Sequence, residues 1–177
     1  MQYFISKDFC FPENAKTSSN AVCHAILQKD FPEKFAEINE ADAAENPFIY
    51  RTHVEQTDTP QLPILMLMRE PVDRFISAAS MNHGLWDVQE IIDSLTSGTG
   101  YWAEGHLFQK QSDFVIEGKT TIFKFPDQLK EFCAKAGFQF PLPKLNEATG
   151  EKKTLTPEQL AFVQEYYADD INLFGSL

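Results

Sequence analysis

The chain has 177 residues, 43% hydrophobic and 13% aromatic, which is enough to bury a sizeable core and predicts one domain over residues 1–177. Its formal net charge of −11 argues against general binding to nucleic acid or to anionic membranes, so an anionic ligand would need a local cluster of cations. No apolar run approaches the ~20 residues of a membrane span, and the N-terminus lacks the apolar centre of a signal peptide.

The first part of the chain has the pattern of a strand, a polar loop and a helix. Residues 3–5 and 9–11 are short β-prone pieces, and one of them is predicted to be the first strand of a sheet. Apolar residues at helical spacing over 21–27 predict an amphipathic helix. The polar run before it carries Lys16, three hydroxyls and the free N–H groups of a helix N-terminus, which are the parts of a phosphate cradle. An ordinary capped helix explains the hydroxyls equally well.

The next stretch supplies one candidate base. Residues 31–46 are acidic and alanine-rich, and they are predicted to form helix and surface loop with a solvated charged face. Residues 48–54 alternate and are β-prone, so they are predicted to form a strand. His53 would then lie near the carboxyl end of that strand, where a catalytic base could act. An isolated histidine is more often structural.

The central stretch predicts a buried strand that turns directly into a helix. Five apolar residues at 64–68 indicate a strand buried on both faces, as in a parallel sheet. Arg69 ends this strand, and Pro71 fits the first position of a helix. Ligands of open α/β sheets bind at such corners, where Arg69, the helix N–H groups and the Ser77 hydroxyl could hold a phosphate. A salt bridge between Arg69 and a carboxylate is the equally good alternative.

The remaining elements are predicted to complete an α/β domain. Residues 101–112 mix aromatic and polar side chains, which is typical of a ligand pocket and also of a packed loop. A loop over 141–154 precedes the last helix. The predicted elements are a helix at 85–95, a strand at 121–125, a helix at 128–136 capped by Asp127 and ended by Gly137, and a last helix starting with Thr156 as N-cap and Pro157 at its first position.

Two motifs resemble those of sulfotransferases that use 3′-phosphoadenosine-5′-phosphosulfate (PAPS). The pattern Arg69-x-Pro-x-x-Arg-Phe-x-Ser77 is similar to the 3′-phosphate-binding motif of that family, which implies that Arg69 and Ser77 hold the 3′-phosphate. The segment 16–21 resembles the 5′-phosphosulfate loop, usually Pro-Lys-Thr-Gly-(Ser/Thr)-Thr-Ser. Here Ala15 replaces the proline, Ser18 the glycine and Asn20 the second hydroxyl residue.

The register of this loop has one alternative. Aligning residues 12–15 with the family's loop would place Glu13 where the lysine belongs. The register with Lys16 is preferred, because it keeps the lysine and places Val22 and Ile26 on the core face. A Walker A loop is absent, since no glycine stands before Lys16 or five residues further back.

Weaker similarities continue to the end of the chain. The spacing His106-x4-Gln111-Ser112 resembles an element of the carbohydrate-type branch, which makes Glu104 and His106 further candidates for the base or for substrate binding. Residues 125–129 resemble the family's late Phe-Glu-x-Leu segment, and residues 155–170 its terminal Leu-(Ser/Thr)-x-Glu … Tyr-x-x-Asp helix. A late loop closes over the nucleotide in the family, so Lys152 and Lys153 are candidate phosphate contacts, although solvent exposure explains them better.

The resemblance implies a central parallel sheet flanked by helices, in the P-loop NTPase-like sulfotransferase fold. It implies transfer of a sulfuryl group from PAPS to a hydroxyl or amine, with a carbohydrate as the expected acceptor. Lys16 would stabilise charge on the leaving group, His53, Glu104 or His106 would act as base, and the 5′-phosphosulfate would be bound by Lys16, Thr17, Ser18, Ser19 and Asn20.

The sequence also allows other functions beside a sulfotransferase, and it predicts further properties of the chain. A non-catalytic nucleotide-binding relative and a nucleotide phosphotransferase with a degenerate P-loop are the alternatives. No metal is expected, because no ligand cluster has metal-binding spacing. Cys10, Cys23 and Cys133 are scattered, which favours reduced thiols and a cytoplasmic location. The acceptor and the oligomeric state stay undetermined, and the chain looks short for the family, so an acceptor-binding insertion is expected to be absent.

Overall fold

The structure is a computed structural model that describes residues 1–14, 16–39, 42–43, 46, 48–81, 87–98, 107–145 and 151–177. Its strands are β1 (Tyr3–Ile5), β2 (Cys10–Pro12), β3 (Gln56–Thr57), β4 (Ile64–Arg69) and β5 (Thr120–Phe125). Its helices in these ranges are α1 (Ser19–Asp30), α2 (Pro32–Ala36), α3 (Ile49–His53), α4 (Pro71–Ala79), α5 (Val88–Ser97), α6 (Leu129–Ala136), α7 (Pro157–Tyr166) and α8 (Ala168–Ser176), with a 3-10 turn at Ser112–Phe114. No helix of the described ranges is both long enough and apolar enough to cross a bilayer.

The fold is α/β, with a five-stranded mixed sheet in the order β3-β1-β2-β4-β5. The centre of the sheet is parallel as predicted, because β4 pairs in parallel with both β2 and β5. The other edge is antiparallel, since β1 runs opposite to β2 and β3. Both β-prone pieces at the N-terminus are therefore strands, and they form a hairpin where the sequence predicted a single strand. A hairpin needs only a short turn, whereas parallel neighbours need a crossover.

Strand β4 is buried on both faces, as the run of apolar residues predicted. Leu65 and Leu67 pack into one cluster with α1 and α6, and Ile64, Met66 and Met68 pack on the opposite face with Phe114. Helix α4 begins at Pro71, also as predicted, and the Glu70 side chain accepts a hydrogen bond from the Asp73 amide (2.6 Å). These contacts place Arg69 at the junction of a rigid strand and the start of a helix.

The predicted strand over residues 48–54 is wrong, because this segment contains helix α3. Tyr50 on α3 packs its ring against His24 on α1, with ring centroids 4.8 Å apart, and lies beside Phe35. The β propensity of this segment is thus overridden by packing against α1. No residue of the predicted strand 48–54 joins the sheet, and the strand β3 is formed by Gln56–Thr57, which follow it.

The later elements follow the prediction with shifted ends. Helix α5 begins at Val88 with Asp87 as its N-cap, and α6 ends at Gly137, whose φ of 71° is left-handed. Gln128, and not Asp127, occupies the N-cap position of α6. Thr156 and Pro157 start α7 with a capping box, as predicted. The helix is interrupted at Tyr167, and a second helix, α8, follows, so the predicted single terminal helix is replaced by two helices.

Candidate anion-binding site

The two predicted phosphate-binding segments lie at the same edge of the sheet. Strand β2 runs into the loop 13–18 and then α1, and β4 runs into α4. Because β2 and β4 are parallel neighbours, both of these loops leave the sheet at its carboxyl edge. The helix N-termini that follow contribute free N–H groups and positive dipole ends at this edge.

Two cations from these segments, Lys16 and Arg69, lie close together. Both side chains are half-buried. Burial lowers the pKa of Lys16, and the charge of Arg69 lowers that pKa further, which is the electrostatic signature of neighbouring positive charges. Two like charges in a partly desolvated place repel one another, so their arrangement favours a bound anion.

Neither cation has a carboxylate partner within the part of the chain that the structure describes. The ion pairs found there involve Lys29, Lys34, Arg51 and Lys110. Arg51 pairs with Glu13, which is the residue that the alternative register of the loop would put in the place of the lysine. The salt bridge offered as the alternative role of Arg69 is therefore not seen in these ranges, although the chain carries a net charge of −11.

The loop before α1 has an unusual backbone. Lys16 and Ser18 have φ angles of 66° and 65°, the two positive values at non-glycine positions in the described ranges. Left-handed residues in such loops turn successive N–H groups inward, as in anion-binding nests. Ser18 stands where the sulfotransferase loop has glycine, and it adopts the conformation that glycine adopts without strain.

The first turn of α1 has N–H groups that the helix itself does not bond. Ser18 is the N-cap residue, but its side chain forms no capping hydrogen bond. The helical bonding starts with the Val22 amide, which donates to the Ser18 oxygen at 3.0 Å. The amides of residues 19–21 therefore precede the first helical bond and can donate to an anion.

Two of the three hydroxyls of this loop are already engaged. The Thr17 and Ser19 hydroxyls donate to the main-chain oxygen of Asn14, at 2.6 and 2.8 Å, and Thr17 is fully buried. Each hydroxyl has one proton, so in this arrangement neither donates to a phosphate. The Asn20 carboxamide oxygen is buried and has no hydrogen-bond partner among the described residues. Anion contacts from this loop are thus left to Lys16, the Ser18 hydroxyl, the Asn20 side-chain N–H groups and the backbone amides.

A buried polar network behind the two cations was not predicted from the sequence. Gln111, which is fully buried, accepts hydrogen bonds from the Asn14 side chain (3.2 Å) and the Arg69 amide (3.0 Å), and it donates to the Arg69 oxygen (2.8 Å). Asp170 accepts from the amides of Gln111 and Ser112, both at 2.8 Å. The signals were present in the Gln111-Ser112 and Tyr-x-x-Asp elements, but nothing local showed that they meet.

Arg74, the second arginine of the Arg69-x-Pro-x-x-Arg motif, binds backbone oxygens inside the protein. It is fully buried, and its guanidinium donates to the oxygens of Leu107 (3.2 Å) and Gln109 (2.6 Å). The Tyr167 hydroxyl donates to the Phe108 oxygen between them, at 2.7 Å. Burial lowers the pKa of Arg74, while Tyr167 and Asp170 favour its charged form. Arg74 and Tyr167 together anchor residues 107–109, which lead into Gln111.

The other predicted contacts lie on or beside α4. Ser77 is half-buried in this helix, with no hydrogen-bond partner for its hydroxyl among the described residues. The Lys153 amide donates to the Ser80 hydroxyl at 3.0 Å, which brings the late loop to the end of the same helix. Lys152 is exposed.

The described part of the structure does not bring any of the three candidate bases to the site. His53 ends helix α3 and not a strand, so the reason for placing it at the sheet edge is lost. Its Nδ1 lies 2.9 Å from the Ile49 oxygen of its own helix. Glu104 and His106 lie outside the described residues. Within those residues, no group of three or more histidine, cysteine or acidic side chains is arranged to hold a metal ion.

No protein-family model, curated protein or solved structure matches this chain.

The left-handed backbone at Ser18 gives the first testable expectation. Replacing Ser18 with glycine removes a left-handed strain of about 1–2 kcal/mol, partly offset by the greater freedom of glycine in the unfolded chain. Ser18→Gly should therefore be more stable than Ser18→Ala by about 1 kcal/mol, measured by urea unfolding. Both changes delete the hydroxyl, so equal stabilities would show that the backbone at this position is not strained.

Proposed function

We propose that this protein is a PAPS-dependent sulfotransferase whose nucleotide lies across Lys16 and Arg69. The observation that carries the proposal is the pair of half-buried cations with no carboxylate partner in the described ranges, held at the carboxyl edge of adjacent parallel strands. A nucleotide with phosphate groups at both its 3′ and 5′ positions offers one phosphate to each of these two cations. The finer fold assignment, a P-loop NTPase-like sulfotransferase fold, belongs to the same proposal.

The roles follow the position of each residue. Arg69 presents a planar fork of donors, which suits the 3′-phosphate, and Ser77 on the following helix adds a hydroxyl. The amides of residues 19–21, with Asn20, face the 5′-phosphosulfate. Lys16 neutralises charge that develops on the leaving oxygen. Lys152 and Lys153 are proposed as phosphate contacts on the resemblance alone, because the bond from the Lys153 amide to Ser80 lies at the other end of α4 from Arg69.

When bound, PAPS supplies a sulfuryl group: its sulfur–oxygen bond to the 5′-phosphate breaks as a bond to the acceptor oxygen or nitrogen forms. The acceptor proton passes to a base, for which Glu104 and His106 remain the candidates. The protein otherwise works by in-line positioning and charge stabilisation, as in phosphoryl transfer. A carbohydrate acceptor is proposed on the resemblance of the Gln111-Ser112 element to the carbohydrate-type branch.

The left-handed Ser18 favours a second candidate, a non-catalytic relative that binds the nucleotide. A side chain at this position keeps the loop backbone further from the sulfuryl group than glycine does. Such a protein would bind 3′-phosphoadenosine-5′-phosphate but transfer nothing. Transfer of sulfur-35 from labelled PAPS to a panel of glycans and amines distinguishes the two.

Calorimetric titration with 3′-phosphoadenosine-5′-phosphate, beside ATP–Mg²⁺, tests the nucleotide site. Wild type should bind the 3′-phosphorylated nucleotide, and Arg69→Ala should lose at least about tenfold in affinity, because a charge-assisted bidentate contact contributes about 1.5–3 kcal/mol. Arg69→Lys, which keeps the charge without the fork, should fall between them. Lys130→Ala, an exposed lysine on α6, is the control and should bind as wild type does.

A different result would overturn this assignment. Absence of binding to wild type, or equal binding by Arg69→Ala, would remove the 3′-phosphate site. Tight binding of ATP–Mg²⁺ alone would favour a phosphotransferase instead.

The lowered pKa of Lys16 predicts how binding depends on pH. Burial and Arg69 bring this pKa below the ordinary lysine value of 10.5 in the free protein, and a bound anion raises it again. Affinity should therefore be full at neutral pH and fall as the pH rises through the free-protein pKa of Lys16. In Lys16→Arg the charge persists, so its affinity should stay flat over the same range in calorimetric titrations. The same alkaline decline in both proteins would assign it to another group.

A further inference from the structure

The two halves of the candidate site meet at one side-chain oxygen. Gln111 Oε1 accepts from the Asn14 Nδ2 at 3.2 Å, on the loop that carries Lys16, and from the Arg69 amide at 3.0 Å, at the end of β4. Gln111 Nε2 donates to the Arg69 oxygen at 2.8 Å, so Gln111 pairs with the main chain of Arg69 much as a neighbouring strand would. The side chain is fully buried.

Side-chain hydrogen bonds tie the loop to β4 near the site. The parallel pairing of β2 with β4 is recorded at Cys10 and Ile64, at the start of both strands. Pro12 at the end of β2 has no N–H to donate. Beyond this point the Asn14 Nδ2 donates to the Leu67 oxygen at 3.1 Å and to Gln111 Oε1 at 3.2 Å. These side-chain bonds join the loop that carries Lys16 to the end of β4 that carries Arg69.

Gln111 is itself held from the far end of the chain. Asp170 on α8 receives the Gln111 amide on one carboxylate oxygen and the Ser112 amide on the other, both at 2.8 Å. Asp170 is fully buried, so these bonds to a charged group hold the segment firmly. Helix α8 therefore acts on the site through Gln111.

We propose that Gln111 is a positioning residue, which fixes the spacing between Lys16 and Arg69 so that one ligand with two phosphate groups contacts both. This inference rests on the proposed function for the identity of the ligand. A ligand held at two points gains from the fixed separation of those points, and that gain is lost when they move apart. A ligand held at one point gains nothing from the spacing.

The test compares one bisphosphate with two monophosphates by calorimetric titration. The ligands are 3′-phosphoadenosine-5′-phosphate, which is the bisphosphate, and the two monophosphates adenosine 5′-monophosphate and adenosine 3′-monophosphate. The variant is Gln111→Met, which keeps the length of the side chain and removes its hydrogen bonds. Gln61→Met, the same change at an exposed glutamine, is the control. Circular dichroism melting reports whether each variant is folded.

Gln111→Met should lose about tenfold or more in affinity for the bisphosphate and less than about threefold for either monophosphate, because only the bisphosphate spans both cations. Equal losses for all three ligands, or no loss, would overturn the positioning role while leaving the nucleotide site intact. Failure of wild type to bind any of them would overturn the proposed function, and the inference with it.

If Gln111→Met does not fold, Asp170→Asn carries the same test. This change removes one acceptor from the Gln111 and Ser112 amides and also a negative charge. By charge alone it should strengthen anion binding, whereas loss of positioning should weaken bisphosphate binding selectively. Stronger binding of all three ligands would therefore contradict the proposal.

Discussion

Two positive charges that face no carboxylate in the described residues are the constraint on which this account depends. Lys16 and Arg69 lie close enough for one to lower the pKa of the other, in a chain with a net charge of −11. Such an arrangement costs stability unless something compensates for it. The surrounding structure supports it with a left-handed loop, a strand buried on both faces and a buried network of Asn14, Gln111 and Asp170.

The parts of this site that are continuous in sequence could be predicted. The run of apolar residues, followed by Arg69 and Pro71, specified a buried strand and a helix start, because local periodicity and the geometry of proline act within a few residues. The helix after Lys16 was predicted for the same reason.

The parts that depend on distant contacts could not be predicted. Residues 48–54 have β propensity, yet packing of Tyr50 against His24 makes them helical, and His53 loses its predicted place. Gln111 and Asp170 are 59 residues apart, and no local pattern shows that one holds the other. Arg74 is fully buried and holds the chain before Gln111, and nothing in the motif around it indicated that role.

The most direct test of the central claim is a crystal structure of the protein with bound 3′-phosphoadenosine-5′-phosphate. The 3′-phosphate should contact the Arg69 guanidinium, and the 5′-phosphate should contact Lys16 and the amides at the start of α1. A nucleotide bound elsewhere, or with neither phosphate on these two cations, would rule out the proposed site.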